Sequence, residues 1–495
     1  MKQLILVACL SISVTCFSQN RSNIWELSYS TDLMYPNCEI VFSSSNADTQ
    51  SVARIMSMFV TNNSMCDTSG SLLFYTNGLT MGNKNYDTLQ NAINFNPGFS
   101  TANYEPLGMG ISQGALILPM PGNYHLYYVF YVTAEPIFAY GNDDTNPLYL
   151  SYSIVDMNLD NGLGGIDVMQ KNLQAIEDTL VLGRLTACKH ANGRDWWVIT
   201  HEYYTDVYYK ILVTPEGIQG PFIQKIGSML LWNDIFGEAA FSPDGSKFAM
   251  MNASNILDYM EFNRCTGEFI NDQSFTIPDN QGTYGCSFSP NSRFLYASSK
   301  YHLYQYDTWN PNMVSDVIHI AEWDSFYSQN VQVLFFMHQL GPDNRIYIST
   351  FNGSKYYNII NQPDSLGIAC DFEPHSFVLP QYNVNVPSFP NYDLGALVGS
   401  GCDTLYNIIA STLSTSSSFH LQPNPATDYF NIVYEVDKET IGTITDALGI
   451  EVKRFTLYPW FKNRIVYVDD LPAGVYLLTL SSQSRKQTMK LIVAK

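Results

Sequence analysis

A tight turn followed by an apolar strand recurs six times between residues 66 and 349, and this repeat constrains the fold more than any other feature. The turn centres are roughly 50 residues apart, with one longer interval, which matches the length of a four-stranded propeller blade. Each turn contains Pro, Asp, Asn or Gly, which suit the backbone angles of a hairpin. The strand that follows is aromatic or apolar, as the inner strand of a packed sheet should be. The copies lie at 66–76, 118–131, 190–200, 241–250, 288–297 and 340–349.

The repeat predicts an all-β protein with a β-propeller over residues 19–402. Seven blades are favoured, with six as the alternative count. The seventh blade would close if a strand near 24–29 or 38–43 paired with the segment 375–398, which would remove free sheet edges. The competing interpretation is a sandwich of unrelated hairpins, which a near-constant period disfavours. The turn Ser242-Pro-Asp-Gly245 with its apolar strand resembles the repeats of WD40-like propellers.

Composition divides the rest of the chain into three further segments. Residues 1–18 have the pattern of an export signal peptide, because Lys2 precedes an apolar run, Leu4 to Val14, that is too short to span a bilayer. Residues 403–418 are predicted to be a linker, since Ser411 to Ser418 is rich in Ser and Thr and cannot bury apolar surface. Residues 419–495 form a separate unit of alternating strands.

Charge excludes two classes of partner. The formal net charge is −20, and the excess acid lies before residue 419. A polyanionic body repels nucleic acid and anionic lipid headgroups, so neither is an expected partner. Charged residues make up only 14% of the chain and aromatic residues another 14%, which favours an exported all-β protein over a helical cytosolic enzyme. No transmembrane helix is expected in the mature protein.

The C-terminal unit carries four motifs in order: Leu421-Gln-Pro-Asn-Pro-Ala-Thr-Asp428, Thr443-Ile-Thr-Asp-Ala-Leu-Gly449, Leu471-Pro-Ala-Gly-Val-Tyr476 and Met489-Lys-Leu-Ile-Val-Ala-Lys495. In order and spacing they resemble the type A C-terminal sorting domain of the Bacteroidetes type IX secretion system. The resemblance implies a small β-sandwich, recognition by the outer-membrane translocon and a sortase, and a location that is secreted or on the outer cell surface. The alternative is a fibronectin-like accessory domain. The motif residues singled out are Pro423, Asn424, Pro425, Asp446, Gly449, Gly474, Tyr476 and Lys490.

Seven cysteines remain after the predicted signal peptide, and none lies in a CxxC pair. An exported protein meets an oxidising environment, so disulfides are allowed. Proximity in sequence suggests three pairs, Cys38–Cys66, Cys265–Cys286 and Cys370–Cys402. Cys188, in a strand-like run, is then the expected free thiol.

Three clusters are candidates for chemistry or binding. His190, Asp195, His201 and Glu202 surround one hairpin and carry groups used in metal and acid–base sites, although the two ends of a hairpin need not converge. Asp143 and Asp144, within Asn142 to Asn146, offer oxygen ligands for Ca²⁺ in a predicted loop; otherwise no cofactor is expected. A cluster of aromatic residues suits sugar stacking or blade core, the latter favoured: Trp196, Trp197, Tyr203, Tyr204, Tyr208 and Tyr209.

The sequence carries no nucleophile elbow, P-loop or dinucleotide fingerprint, so no catalytic residue is assigned. The favoured hypothesis is a secreted, non-enzymatic binding or adhesion module whose loops contact a glycan or a protein. The alternative is a secreted hydrolase or lyase that acts on polysaccharide or peptide, and a structural surface-layer component is the third candidate. Propellers host both binding and catalysis, so the fold alone does not decide.

Overall fold

The computed structural model describes residues 20–30, 36–43, 46–139, 142–230, 237–279, 281–403, 419–434, 436, 438–446, 449–461, 463–481 and 486–494. The predicted signal peptide, 1–18, and all but the first residue of the predicted linker lie outside these residues. Strands dominate the described part, and no helix in it is long and apolar enough to cross a membrane.

The first 13 strands are β1 (Ile24–Leu27), β2 (Asn37–Phe42), β3 (Ala47–Val52), β4 (Asn63–Cys66), β5 (Leu72–Thr76), β6 (Met81–Asn83), β7 (Ala115–Pro119), β8 (Leu126–Tyr131), β9 (Glu135–Ala139), β10 (Asn142–Asn146), β11 (Tyr149–Asp156), β12 (Gly165–Ile166) and β13 (Leu173–Glu177). They build antiparallel sheets ordered β1-β2-β3, β4-β5-β6 and β12-β11-β8-β7, with β13 also paired to β11. A separate hairpin joins β9 and β10. One short α-helix, α1 (Phe99–Tyr104), and 3₁₀ turns at Asp160–Gly162 and Val168–Gln170 lie between strands.

The next strands are β14 (Thr186–Lys189), β15 (Trp196–His201), β16 (Val207–Thr214), β17 (Gly217–Lys225), β18 (Ala239–Phe241), β19 (Lys247–Met251), β20 (Ile256–Asn263), β21 (Glu268–Thr276), β22 (Thr283–Phe288), β23 (Phe294–Ser299), β24 (His302–Asp307), β25 (Ile318–Glu322), β26 (Tyr327–Ser328), β27 (Val331–Gln332), β28 (Phe335–Leu340), β29 (Ile346–Thr350), β30 (Ser354–Ile360) and β31 (Phe372–Asn383), with a 3₁₀ turn at Gly367–Cys370. They form four antiparallel four-stranded meanders, β14 to β17, β18 to β21, β22 to β25 and β28 to β31, plus the small hairpin β26-β27. Neighbouring meanders meet through their first strands, as β14 does with β18, β18 with β22 and β22 with β28. Meander sheets arranged side by side with their first strands around a common centre form a β-propeller.

The six recurring turns adopt one local structure. In each, the side-chain oxygen of an Asp or Asn accepts a hydrogen bond from the backbone N–H two residues later, which is the geometry of an Asx turn. The distances are 2.8 to 3.3 Å, and the accepting residues are Asp67, Asn123, Asn192, Asp244, Asn291 and Asp343. We call the end of the propeller that carries these turns the turn end.

The N-terminal strands close the ring differently from the expectation. β1 pairs with β2 and β2 with β3 in a sheet of their own, whereas β31 is the fourth strand beside β30, so the predicted shared sheet with 375–398 is wrong. β31 is already paired within its own meander, and the two sheets are joined by packing and local hydrogen bonds. Tyr29 N donates to Tyr382 O at 3.0 Å, and the fully buried Trp25 ring lies 5.2 Å from the Tyr347 ring.

Residues 384–403, which we call the closing segment, leave β31 and end at a disulfide. Cys402 is bonded to Cys265, in the turn between β20 and β21, with Cα atoms 5.7 Å apart. The predicted pairs Cys38–Cys66, Cys265–Cys286 and Cys370–Cys402 are therefore wrong, since the fold brings together cysteines 137 residues apart. Cys188 is free and buried, as expected, and four more cysteines are free and buried: Cys38, Cys66, Cys286 and Cys370.

The C-terminal strands are β32 (Phe419–Gln422), β33 (Tyr429–Tyr434), β34 (Thr440–Thr445), β35 (Glu451–Leu457), β36 (Asn463–Tyr467), β37 (Gly474–Ser481) and β38 (Lys486–Val493). Two antiparallel sheets, β32-β33-β36 and β35-β34-β37-β38, enclose a core that includes Phe430, Ile432, Leu478 and Leu491. Alternate residues of β33 and β37 are buried, as a two-layer sandwich requires. The small β-sandwich inferred for this segment is confirmed.

The sandwich contacts the propeller through the edge strands β36 and β13. The buried Asn463 side chain bonds both peptide groups of Gln174: its Oδ1 accepts from Gln174 N, and its Nδ2 donates to Gln174 O at 2.6 Å. Arg464 Nε lies 2.7 Å from Glu177 Oε2. The Phe461 ring packs against Tyr149 at 4.8 Å. A side-chain amide thus covers the propeller edge at the point where a further strand would pair.

We expect Asn463→Leu to uncover β13. The substitution leaves two buried peptide groups without partners, each worth about 1–3 kcal/mol, so amide hydrogen exchange across residues 173–177 should quicken at least about tenfold. Mass spectrometry of peptides from the exchanged full chain measures this rate.

Asn424→Leu is the matched control. Asn424 forms the same kind of clamp inside the sandwich, where its Nδ2 donates to Lys490 O and its Oδ1 accepts from Ile492 N, both at 2.8 Å. This control should speed exchange in β38 and leave β13 unchanged. Equal exchange of β13 in the native chain and Asn463→Leu would show that the contact does not persist in solution.

Candidate functional site

A cavity of about 370 Å³ lies among the first strands of the propeller sheets and extends to the turn end. β14, β18, β22 and β28 contribute to its wall, together with Asn20 to Asn23 and part of the closing segment. The volume is within the range of small-ligand sites, roughly 300–1,000 Å³. The lining residues that matter below are Gln113, Cys188, Glu238, Cys286, His338 and Gln339.

The closing segment fills the remainder of the centre. Asn63 Nδ2, on β4, donates to Ser388 O at 2.6 Å, and Phe389 N donates to Gln339 Oε1, on β28, at 3.1 Å. Farther along, Tyr392 OH donates to Ile117 O, on β7, at 2.8 Å. The chain is therefore held between the first strands of three sheets, and the cavity beside it faces the turn end.

Glu238 is the buried carboxyl of the cavity wall. Its Oε2 accepts from Cys286 N and from His338 N, both at 2.9 Å, so it ties β18 to the two following first strands. Burial raises the pKa of Glu238 well above its ordinary value, more than these two bonds lower it. Burial therefore favours the uncharged form of Glu238 more than it does for an exposed carboxyl.

Three further buried titratable groups of the wall are held in their uncharged forms, whereas Arg21, a buried cation of the same wall, donates to Tyr127 OH at 3.3 Å. Burial raises the pKa of the Cys286 thiol well above its ordinary value and that of Cys188 to about 12. Burial lowers the pKa of His338 to about 3, and its Nε2 lies 2.8 Å from Ser298 Oγ. A nucleophilic cysteine needs a lowered pKa and a basic partner, and these shifts run the opposite way. The wall favours polar recognition over nucleophilic chemistry.

The predicted His and carboxylate cluster is not brought together. His190 and Asp195 flank the turn before β15, where His190 Nε2 lies 3.0 Å from Cys265 O and Asp195 is paired with Arg194 at 2.6 Å. His201 and Glu202 lie at the other end of β15. Burial lowers the pKa of His201 to about 3. Within the described part of the chain, no three His, Cys, Asp or Glu residues are close enough to hold a metal ion.

The other two candidate clusters also have ordinary structural positions. Asp143 and Asp144 lie in strand β10, paired to β9, where a loop was expected. A strand was not anticipated because Asn and Asp are depleted in strands, a preference that tertiary context overrides. The aromatic cluster is blade core, with five of its six side chains buried: Trp196, Trp197, Tyr203, Tyr208 and Tyr209.

The sorting motif residues occupy turns and edges of the sandwich. Pro423, Asn424 and Pro425 follow β32, and Asn424 clamps β38 as described above. Asp446 and Gly449 form the turn between β34 and β35, where Asp446 Oδ1 accepts from Ile450 N at 2.9 Å and Gly449 has a φ of 81°. Gly474 begins β37, on which Tyr476 is buried and donates to Pro472 O at 2.8 Å. Lys490 is exposed on β38.

Together these observations define a class: an all-β protein with a propeller whose centre is largely filled, joined to a small C-terminal sandwich. Residues 420–494 match the family described as the secretion system C-terminal sorting domain. The match supports the inferred likeness to type IX secretion cargo and indicates that the protein is exported, to the medium or the cell surface. It also implies interaction with the type IX secretion system. A search of curated proteins finds no match.

Solved structures give distant likenesses to the fold. A putative 6-phosphogluconolactonase from Bacteroides fragilis shares 10% identity, covering 73% of this chain and 96% of that chain, with a TM-score of 0.41. A protein from Lactobacillus plantarum shares 9% identity, covering 90% of this chain and 99% of that chain, with a TM-score of 0.37. The extracellular domain of a putative hybrid two-component system from B. thetaiotaomicron shares 10%, covering 96% of this chain and 57% of that chain, with a TM-score of 0.35. Likenesses as distant as these say nothing about the function of this protein.

Proposed function

We propose that this exported protein is a non-enzymatic binding module whose turn-end cavity takes an uncharged polar ligand, such as a segment of a neutral glycan. The observation that carries the proposal is the cavity wall. It combines a volume suited to one or two sugar rings with the uncharged amide groups of Gln113 and Gln339 and the buried carboxyl of Glu238. Sugar hydroxyls donate and accept hydrogen bonds, and a neutral ligand avoids the cost of burying a charge.

The rest of the proposal concerns export and architecture. The chain carries a signal peptide at 1–18, and the type IX translocon and a sortase recognise its C-terminal domain through the region that includes Pro423, Asn424, Pro425 and Lys490. Among the described residues before 384, the seven sheets of three or more strands are the blades of one WD40-like ring.

Binding of the full chain to neutral and acidic polysaccharides and peptides, with and without Ca²⁺, tests the proposal. We expect saturable binding of at least one neutral glycan, unchanged by chelation of Ca²⁺ and without product formation. Asn391→Trp, an exposed position on the cavity rim, should weaken binding at least about tenfold, because a bulky ring obstructs the entrance.

Asn312→Trp is the matched control, since Asn312 is also exposed but lies in the loop between β24 and β25, away from the cavity wall. It should bind like the native chain. Release of shortened sugars or peptides would contradict the proposal, and so would preference for an acidic glycan or equal affinity in both tryptophan variants.

A further inference from the structure

Two histidines face each other on the outer half of the β22 to β25 meander. His302 Nδ1, on β24, lies 3.1 Å from His319 Nε2, on β25. His319 is exposed and His302 is half-buried, so solvent reaches the pair. The two residues are 17 positions apart, and a bulge between Leu303 and Tyr304 sets their register.

A carboxylate lies beside the pair. Glu322 is registered directly opposite His302, which places the two Cβ atoms about 5 Å apart on the same face of the hairpin. Burial raises the pKa of the Tyr304 phenol, and the negative charges of Asp279 and Glu322 add to the rise. Glu322 therefore faces the same patch as Tyr304, which is itself registered opposite His319.

We propose that His302 and His319 form a two-imidazole surface site for a transition-metal dication of the class of Zn²⁺, Ni²⁺ and Cu²⁺, with water in the remaining positions and the negative charge of Glu322 nearby. Imidazole nitrogens suit these borderline ions, and a neighbouring carboxylate favours a cation without being a ligand.

The separation of the two nitrogens agrees with this chemistry. A metal about 2.05 Å from each of two nitrogens that are 3.1 Å apart subtends an angle of about 98°. This value lies between the right angle of square-planar or octahedral sites and the larger angle of a tetrahedron. The backbone need not move. One ring shifts its tautomer so that both facing nitrogens present lone pairs.

Titration of the full chain with Zn²⁺ in isothermal calorimetry tests the site, at about 0.15 M salt so that general attraction to the acidic surface is screened. We expect one site, and His302→Asn and His319→Asn should each weaken it at least about tenfold. Glu322→Gln should weaken it less, because the substitution removes a nearby negative charge and leaves both imidazole ligands in place. Electron paramagnetic resonance with Cu²⁺ should show coupling to two nitrogens in the native chain and to one in His319→Asn.

His125→Asn is the matched control, since His125 is exposed in a turn on a different sheet. It should leave both the affinity and the two-nitrogen spectrum unchanged. The site is excluded if Zn²⁺ binds no tighter than about 1 mM, or if His302→Asn and His319→Asn bind like the native chain. The pair would then be a hydrogen bond between two rings and no more.

Discussion

A chain that ends at residue 403 is expected to remain inside the cell, while the full chain reaches the medium or the cell surface of a host with a type IX system. The C-terminal sandwich, residues 419–495, contains the whole of the matched sorting domain, and the propeller carries none of it. Because a sorting signal is read by a receptor, its loss should abolish export rather than reduce it by a fraction. Immunoblots of cell and medium fractions measure the distribution of the two chains.

Two further chains separate sorting from folding. Asn463→Leu keeps the sandwich but loosens its contact with β13, so it should still be exported. Residues 404–495 fused to a periplasmic carrier should carry it out of the cell. If the chain that ends at residue 403 is exported normally, the sandwich is an accessory domain, whatever its likeness to the sorting family.

The parts of the fold that were predictable are those that short stretches of chain encode. Each recurring turn contains the Asp or Asn that accepts its own hydrogen bond and precedes the strand that it starts, so local sequence and global fold agree. The C-terminal sandwich was also recognisable, because its turns and alternating strands lie in one continuous segment. Burial of Trp196 and Trp197 follows from their place in an inner strand pair.

The parts that were missed depend on where distant segments meet. Nearness in sequence is a poor guide to the Cys265–Cys402 bond, because the closing segment crosses from β31 to the turn after β20 without regular structure. The role of Glu238 was signalled only by an acid beside the apolar run Ala239-Ala-Phe241, a pattern that does not reveal its two partners. His302 and His319 form no motif, since a bulge sets their register. The propeller fold predicts where a cavity lies. The side chains that line the cavity come from several sheets, so no single stretch of sequence reveals them.

The sheet that contains β1 has a buried pair of hydrogen-bonded side chains, Arg54 and Glu26, that should control stability. Arg54 contacts Glu26 Oε2 and Leu27 O and donates through Nε to Met56 O at 3.1 Å, and the Arg54 and Glu26 side chains are wholly buried. Burial raises the pKa of Glu26 to about 8, outweighing the attraction of Arg54, with Glu39 adding to the rise. Removing Arg54 leaves three buried acceptors without their donor, at about 1–3 kcal/mol each, so about 3 kcal/mol or more in total. We therefore expect Arg54→Met to lower the free energy of unfolding by about that amount, measured by urea denaturation followed by tryptophan fluorescence.

The same pair should make stability fall as the pH rises. Below pH 4.5 Glu26 is protonated in both the folded and the unfolded chain; above it the unfolded chain loses the proton, while the folded chain keeps it until about pH 8. This difference removes about 2 kcal/mol of stability between pH 6 and pH 8. Glu26→Gln keeps the shape of the side chain but cannot titrate. Between pH 6 and pH 8 the stability of this variant should therefore fall by about 2 kcal/mol less than that of the native chain. Groups distant from residue 26, such as Glu238, contribute equally to both profiles, so the difference between the profiles reports on residue 26 and on Glu39, whose charge acts on it. Parallel profiles would show that Glu26 is ionised in the folded protein and that Arg54 compensates its burial in full.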